Sequence, residues 1–564
     1  MRLRERLWNP YALVFTSNAC IMIIELVASR LIAPRVGVSL YTWTSVIGVI
    51  MAGLSLGNYI GGRLADRHAS RALLGTILSL ASLSTLLILW LNNDAHTWKL
   101  PFQAPFMVWV VAYIAAVFML PSVILGCISP IVVKLSVTNL QRTGRTVGQI
   151  YAWSAIGSIV GTFATGFWLI SAFGTKTTVL MVAGLLLLLG LWFITDGPWR
   201  KALVRALVVL VLFGAGLFYL NHKGFLCSEC LRETNYFCIK VSESERDGAT
   251  IRQLTLDRLV HSYTDIADPT NLQYGYEQTY AAVIAPVVAA KPDLRSLFIG
   301  GGAFTFPRYL QATVPDSYSV VSEIDPEVTQ VAHEYFGLDY EPNIATYNID
   351  ARQYMMQEAP VDEFDIVFGD AFNDFSVPYH LTTLEFARLV DRAMRADGLY
   401  IVNIIDGGQR GQFLRSFVNT LNEVWEYTAV IPSMTSWRET VRSTFVIVAS
   451  HEPLDLSGVP GSTPPLAEDE VAEYLAMEPA VILTDDYVPV DNYLAGVFSD
   501  SADDFALDAS WSSIIVERAA VLGGGAGVLI VAAIVRHVLR KRKGVAEVDT
   551  GTTESTQDTE GNRQ

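Results

Sequence analysis

The sequence predicts two unlike parts: a multi-pass α-helical membrane domain, then an α/β domain with a parallel sheet and a small β-sheet in front of it. Three observations carry this. Apolar runs of bilayer-spanning length follow one another up to residue 220, and one more recurs near the C-terminus. Between 221 and 513, short β-branched strands alternate with amphipathic helices, as in a parallel α/β sheet. Within that region, "SLFIGGGAFTFPRYL" (Ser296 to Leu310) places three consecutive glycines between a buried strand and a helix.

The first part is read from eight runs at 11–33, 42–62, 71–91, 105–127, 148–172, 177–195, 202–220 and 514–536. The first lacks the basic start, short apolar core and small-residue cleavage site of a signal peptide, so it reads as a retained helix. Bulk composition agrees: of 564 residues, 51% are hydrophobic and only 17% charged. A net charge of −16 argues against a nucleic-acid partner, because phosphate binding needs a basic surface.

Basic residues predict the orientation, since short basic flanks stay cytoplasmic. Arg2, Arg4 and Arg6 precede the first run, and Arg63, Arg67 and Arg71 lie between the second and third. Arg142 and Arg145 precede the fifth, Arg200, Lys201 and Arg205 precede the seventh, and "RHVLRKRKG" follows the eighth. The alternate loops carry single charges, Arg35, Lys99 and Lys176. The expectation is a cell-membrane protein with both termini cytoplasmic and the 221–513 region outside. Within the first run, Glu25 and Arg30 are charges that need a partner, a cavity or the interface. Gly57, Gly157 and Gly161 read as helix-packing positions.

Three of the five cysteines, Cys227, Cys230 and Cys238, cluster just after the seventh run. An external domain can hold a disulfide between Cys238 and either Cys227 or Cys230. A zinc site would need a second ligand pair of matching spacing, which the sequence does not offer.

The predicted domains are 1–220 (membrane), 221–290 (small β-sheet and connection), 291–512 (α/β), 513–537 (C-terminal helix) and 538–564 (basic flank and disordered acidic tail). Segments "YFCIKVS", "TIRQLTL" and "LVHSY" predict the small sheet. Strands "LFIG", "YSVVSEID", "IATYNID", "FDIVFGDA" and "GLYIVNI" follow. Ligands of such sheets sit beyond the carboxyl ends of the strands, so the polar residues there are the candidates. Gly300, Gly301 and Gly302 allow a tight turn and close backbone approach. Glu323 ends the second strand at a spacing suited to ribose hydroxyls, Asp350 ends the third within reach of an adenine amine, and Asp370 ends the fourth.

These residues carry a family resemblance. "LTLDRLVHSY", "YGYEQTY", "GGGAF", "VSEID", "NIDAR" and "FGDAFNDFSVPYHLTT" occur in the order found in spermidine synthases, polyamine aminopropyltransferases on an S-adenosylmethionine-methyltransferase-like (Rossmann-like) fold. The helical half, through "ELVASRLIAPRVG", "GNYIGGRLADR" and "GQIYAWSAIGSIVGTFATGF", resembles the membrane portion of fused transporter-like (major-facilitator-like)/spermidine synthase proteins. The resemblance implies that Gly300, Gly301, Gly302, Glu323, Asp350 and Ala351 hold the nucleoside of a sulfonium donor and that Asp370 is the catalytic acid/base. It places His261, Tyr276, Glu277, Asp374 and Pro378 at the amine site. His261 stands where the family usually has glutamine, Gly275 replaces an expected tyrosine, and Ala303 replaces an aspartate that helps hold a cationic end.

The implied reaction moves an aminopropyl group from decarboxylated S-adenosylmethionine to an amine such as putrescine. It needs no metal and no tightly bound cofactor, because the sulfonium itself activates the leaving group. The implied partners are a small amine, the sulfonium donor and the lipid bilayer, with a possible homodimer. Two other readings stay open: S-adenosylmethionine-dependent methyl transfer to an envelope component, and a non-catalytic ligand-binding domain on a transporter-like protein.

Overall fold

Asn9 opens the first helix by accepting from the backbone N–H of Tyr11 and Ala12, with Pro10 at the first helical position. In the computed structural model the described residues are 9–37, 39–94, 106–137, 139–195, 198–246, 248–340, 343–371, 377–408, 411–439, 442–456, 463–477 and 480–494. All belong to one unit of the chain. The eighth apolar run, the tail and Asp374 lie outside them.

The N-terminal helices are α1 (Pro10–Val36), α2 (Leu40–His68), α3 (Arg71–Asp94), α4 (Phe106–Gly126), α5 (Ile128–Ser136), α6 (Thr143–Ala164), α7 (Thr175–Ile194) and α8 (Trp199–His222). Among the described residues they supply seven segments long and apolar enough to cross a membrane, α4 with α5 forming one and α6 running on to Phe173. Small residues set how closely they pack. A Cβ on Gly157 would fall 2.2 Å from the Phe15 carbonyl oxygen, and one on Gly57 2.2 Å from that of Val123. Those glycines sit where helix backbones touch, as the sequence predicts.

The soluble elements begin with a four-stranded antiparallel sheet, β1 (Arg232–Glu233), β2 (Cys238–Arg246), β3 (Ala249–Leu256) and β4 (Leu259–Asp265). Helix α9 (Gly275–Ala290) leads to β5 (Arg295–Ile299), α10 (Thr305–Thr313), β6 (Tyr318–Ser322), α11 (Pro326–Tyr335), β7 (Ile344–Tyr347), α12 (Ala351–Gln357) and β8 (Phe364–Gly369). Then come α13 (Leu384–Ala393), β9 (Met394–Asp406), α14 (Gln412–Leu421), β10 (Tyr427–Pro432), β11 (Ser443–Ser450) and α15 (Glu468–Leu475).

The large sheet has the order β10-β11-β9-β8-β5-β6-β7. Its five predicted strands are parallel, but β11 runs antiparallel to both β9 and β10. The sheet is therefore mixed, not wholly parallel. β10 follows β9 through helix α14, and β11 then returns antiparallel between the two, a pairing that the alternation of strands and helices does not reveal. Strand order and the reversed β11 make this an S-adenosylmethionine-methyltransferase-like Rossmann fold.

Two apolar clusters position the site. One joins Tyr280, Val283 and Ile284 of α9 to Phe298, Phe306, Phe368 and Ile401. Each such buried side chain contributes roughly 1.5–3 kcal/mol. The other joins Ile239, Leu254 and Leu256 of the small sheet to Ala303, Val328, Val331 and Phe336. Together they clamp the small sheet and α9 over the carboxyl edge of the large sheet.

The soluble elements are tied to one end of the helices. Arg30 donates to the carbonyls of Thr234, at 2.7 Å, and of Tyr236. Glu233 accepts from the Thr175 backbone at 2.6 Å and from its hydroxyl at 2.7 Å. Tyr41 donates to Asn492 at 3.0 Å. Arg30 thus answers its cost near a helix end by capping backbone of the soluble part. Cys230 and Cys238 are bonded there, which selects one of the two predicted pairings, while Cys227 is free and exposed.

Candidate active site

The carboxyl ends of β5, β6, β7 and β8 are locked together by backbone hydrogen bonds. Asp370 N–H donates to Ile299 at 2.9 Å, Gly300 N–H to Ser322 at 2.9 Å, and Glu323 N–H to Tyr347 at 3.1 Å. The Gly300–Gly302 turn bends away from this line. Gly300 has φ +94° and Gly302 φ +50°, and a Cβ on Gly300 would lie 2.5 Å from the Asp370 carbonyl oxygen. No side chain larger than hydrogen fits Gly300 without moving that strand end.

A cavity of about 1050 Å³ of empty space, open to solvent at its mouth, lies between this edge, α9 and the small sheet. Gly300, Gly301, Gly302, Glu323, Asp350, Ala351, Asp370, His261, Tyr276, Glu277 and Pro378 all line it. Every predicted site residue except Asp374, which lies outside the described residues, is thereby brought to one cavity. Ala303 is not among the lining residues and is fully buried in the apolar cluster under the small sheet. Its methyl group fills core, and an aspartate there would bury an uncompensated charge.

Asp370 is oriented by two donors. The Tyr276 hydroxyl gives a 2.9 Å bond to Oδ2, and the Asn403 amide a 3.1 Å bond to Oδ1. Burial raises its pKa from 3.8 to about 6, against the lowering effect of those two bonds. Glu323 is buried and its carboxylate holds the turn: Oε2 accepts from Gly301 N–H at 2.9 Å and Gly302 N–H at 3.3 Å, and Oε1 from Asp325 N–H at 3.0 Å. Desolvation still wins over these backbone donors and raises its pKa. Asp350 caps α12, with Oδ1 accepting from Arg352 N–H at 3.0 Å and Gln353 N–H at 3.1 Å, while Oδ2 meets His380 Nε2 at 2.8 Å. Half of its acceptor capacity therefore serves the helix.

On the inner wall, α9 buries Tyr276, Glu277 and Tyr280. The Glu277 pKa is pushed well above its ordinary value, first by burial and then by the charge of Asp370. Desolvation lowers the His261 pKa to about 4, so the imidazole is neutral at physiological pH. Four buried polar atoms of this region have no hydrogen-bond partner within the protein: His261 Nε2, Glu277 Oε2, Tyr280 Oη and Asn403 Oδ1. Unpaired buried polar atoms are uncommon and costly, and here they cluster around a cavity a polar ligand can enter.

Sequence reasoning missed Asn403, His380, Ser262 and Tyr280. Asn403 had a usable signal, because "GLYIVNI" places it at the end of the fifth parallel strand. His380, in "VPYHLTT", carried none. Among the described residues, no cluster of three or more metal-binding side chains occurs.

No family profile matches the chain. It is 33% identical to a polyamine aminopropyltransferase of Vibrio vulnificus over 114 residues, covering 20% of this chain and 38% of that one. It is 22% identical to polyamine aminopropyltransferase 2 of Ralstonia nicotianae over 463 residues, covering 75% of this chain and 84% of that one. A solved structure described as a probable spermidine synthase from Corynebacterium glutamicum matches with 22% identity and a TM-score of 0.38, over 44% of this chain and 96% of its own. The relatives matched at the higher identities are spanned over only 35% and 38% of their length. What the comparisons establish is that the soluble domain of this chain is similar to polyamine aminopropyltransferases.

Proposed function

We propose that the protein is a membrane-bound aminopropyltransferase of the spermidine synthase type. It moves the aminopropyl group of a decarboxylated sulfonium donor to a small amine such as putrescine. The observation that carries this is the oriented Asp370 carboxylate beside the glycine turn, in a cavity whose inner wall holds buried, unpaired polar atoms. The named relatives lend support.

In this reading Gly300–Gly302, Glu323, Asp350 and Ala351 hold the nucleoside, and Phe298 and Phe306 line the cavity beside them. The neutral acceptor nitrogen attacks the carbon bonded to sulfur. A C–N bond forms, the C–S pair leaves with sulfur as a neutral thioether, and the new ammonium gives its proton to Asp370 directly or through water. A carboxyl raised to about 6 is ionised at neutral pH yet basic enough to take that proton. Alignment of the reacting atoms supplies most of the remaining barrier reduction. The test is product analysis of the full-length protein with decarboxylated S-adenosylmethionine and putrescine. Spermidine and methylthioadenosine in equal amounts are expected. A methylated product with S-adenosylmethionine, and none with the decarboxylated donor, overturns the assignment.

The site is placed outside the cytoplasm in the same proposal. Soluble-domain contacts lie at the C-terminal end of α1 and the N-terminal ends of α2 and α7. Arg63 and Arg67 occupy the far end of α2, and Arg200, Lys201 and Arg205 the start of α8, whose other end leads into the soluble part. The basic clusters and the catalytic domain thus sit at opposite ends of the helices, and the basic end stays cytoplasmic. The Cys230–Cys238 disulfide suits an oxidising compartment. Of the five cysteines only Cys227 is both unpaired and exposed. A membrane-impermeant maleimide should therefore label intact cells at one position, and Cys227→Ser should abolish the label. Labelling that requires permeabilised cells reverses the orientation.

A further inference from the structure

Of the two charges in the first apolar run, Arg30 is answered by carbonyls of the soluble part and Glu25 is not. Glu25 lies five residues, or about 7.5 Å, deeper in α1 than Arg30. Its Oε2 is buried and has no hydrogen-bond partner among the described residues. The basic side chains beyond it on α1 are engaged elsewhere, Arg30 as above and Arg35 with Glu229 at 3.5 Å. A carboxylate at this depth is costly unless it is paired or borders a polar path. Glu25 is not alone on its face. Tyr11, Asn18 and Glu25 recur every seven residues, each half-buried, and a seven-residue step turns a helix to within about 20° of the same direction. They cover about 21 Å of helix, against a hydrocarbon core of about 30 Å. What they offer is acceptor oxygen. The Tyr11 hydroxyl donates to Gln149 of α6 at 2.8 Å, and an Asn18 amide N–H to the Val14 carbonyl at 2.9 Å. The two side-chain oxygens and the Glu25 carboxylate are left to accept. α6 borders this face, where Phe15 meets Trp153 edge-on, and the exposed Trp153 ring adds a surface favourable to cations.

Resting on the membrane reading, and on the amine chemistry proposed for the outer site, we propose that this face of α1 is a path for small alkylammonium ions through the helices, with Glu25 as its binding anion. An ammonium group brings the charge that Glu25 lacks and the N–H donors that a row of acceptors needs. Its N–H groups exchange water for the Glu25 carboxylate, and the Asn18 and Tyr11 oxygens serve it further towards the other end of α1. This second activity makes and breaks no covalent bond and uses none of the residues of the outer cavity. It connects the cytoplasm with the side on which the outer site is placed.

The experiment uses the full-length protein in liposomes. Dicyclohexylcarbodiimide, which modifies carboxyl groups in apolar surroundings, is applied alone, with putrescine, or with uncharged 1,4-butanediol, and the modified residue is located by mass spectrometry. Glu25 should be labelled, putrescine should protect it, and butanediol should not. Entry of radiolabelled putrescine into the same liposomes should be saturable. Glu25→Gln should lower that entry by about ten- to a hundred-fold, the usual range for a charge-assisted bond, and Glu25→Asp should retain part of it. An unchanged melting temperature certifies the fold of each variant, and the labelling of wild type needs no variant at all. Labelling that putrescine does not relieve overturns the path, and so does entry that Glu25→Gln leaves unchanged or that protein-free liposomes match. Absence of spermidine formation with entry intact overturns the transferase reading and leaves the path standing. Release of the protein from the bilayer by alkaline extraction overturns the membrane reading and the path with it.

Discussion

Asp370→Asn should lower donor consumption by about 10²–10⁴-fold, the usual cost of losing a general base, with methylthioadenosine affinity changing far less. The substitution keeps the shape of the site. An asparagine oxygen can still accept from the Asn403 amide, and its NH₂ can donate to the Tyr276 oxygen once that hydroxyl turns. What it removes is the proton acceptor. Wild-type kcat/KM should fall as the pH drops below about 6, where Asp370 becomes protonated. The stability effect has the opposite sign. The folded-state pKa lies above the ordinary 3.8, so the folded protein binds the proton more tightly and stability falls as pH rises from about 4 to about 6. Asp370→Asn should flatten that slope. Full activity of the variant in a donor-consumption assay removes the base assignment, leaving a ligand-binding domain as the better description.

Glu323→Ala should weaken methylthioadenosine and both donors by roughly ten- to a hundred-fold, or about 1.5–3 kcal/mol. The sequence singles Glu323 out for ribose recognition. The structure adds that its carboxylate already gathers the Gly301, Gly302 and Asp325 amides. Removing it leaves these three donors without their acceptor, so the glycine turn should lose its shape as well as the ribose partner proposed for it. The variant should also melt on the order of 5 °C lower without ligand, since buried donors left unpaired destabilise the folded state. Glu323→Gln retains one acceptor oxygen and should fall between. The effect reaches beyond the site: Asp325 accepts from the Thr234 hydroxyl at 2.5 Å, and the Thr234 carbonyl accepts from Arg30 of α1. Affinities and melting unchanged by Glu323→Ala would refute both roles.

Much of this protein was legible before any coordinates. Seven of the eight apolar runs are helices long enough to span, and the eighth lies outside the described residues. Bilayer thickness and the cost of unsatisfied backbone in lipid leave a long apolar run little alternative to a helix. The five parallel strands were equally readable, because a strand buried on both faces is a short apolar run. β6, β7 and β8 lead into residues that line the cavity, so Glu323, Asp350 and Asp370 could be named from position alone. The turn at Gly300 was legible for a steric reason that any sequence carries.

Tertiary structure alone decided the rest. That β11 runs backward against β9 depends on pairing partners, not on the strand's own residues. The choice of Cys230 over Cys227 for Cys238 follows from the pairing of Glu233 with Cys238 across β1 and β2. Whether Ala303 is a lost ligand or a core methyl was set by the packing of Ile239, Leu254 and Val331 around it. Tyr276 and Asn403 are far from Asp370 in sequence and become its partners only when α9 and β9 flank β8. The sequence by itself determined which elements form and which residues end them, because those depend on local periodicity and backbone sterics. Which groups share a proton, a buried charge or a hydrogen bond is a matter of distance across the fold, and local pattern does not encode it.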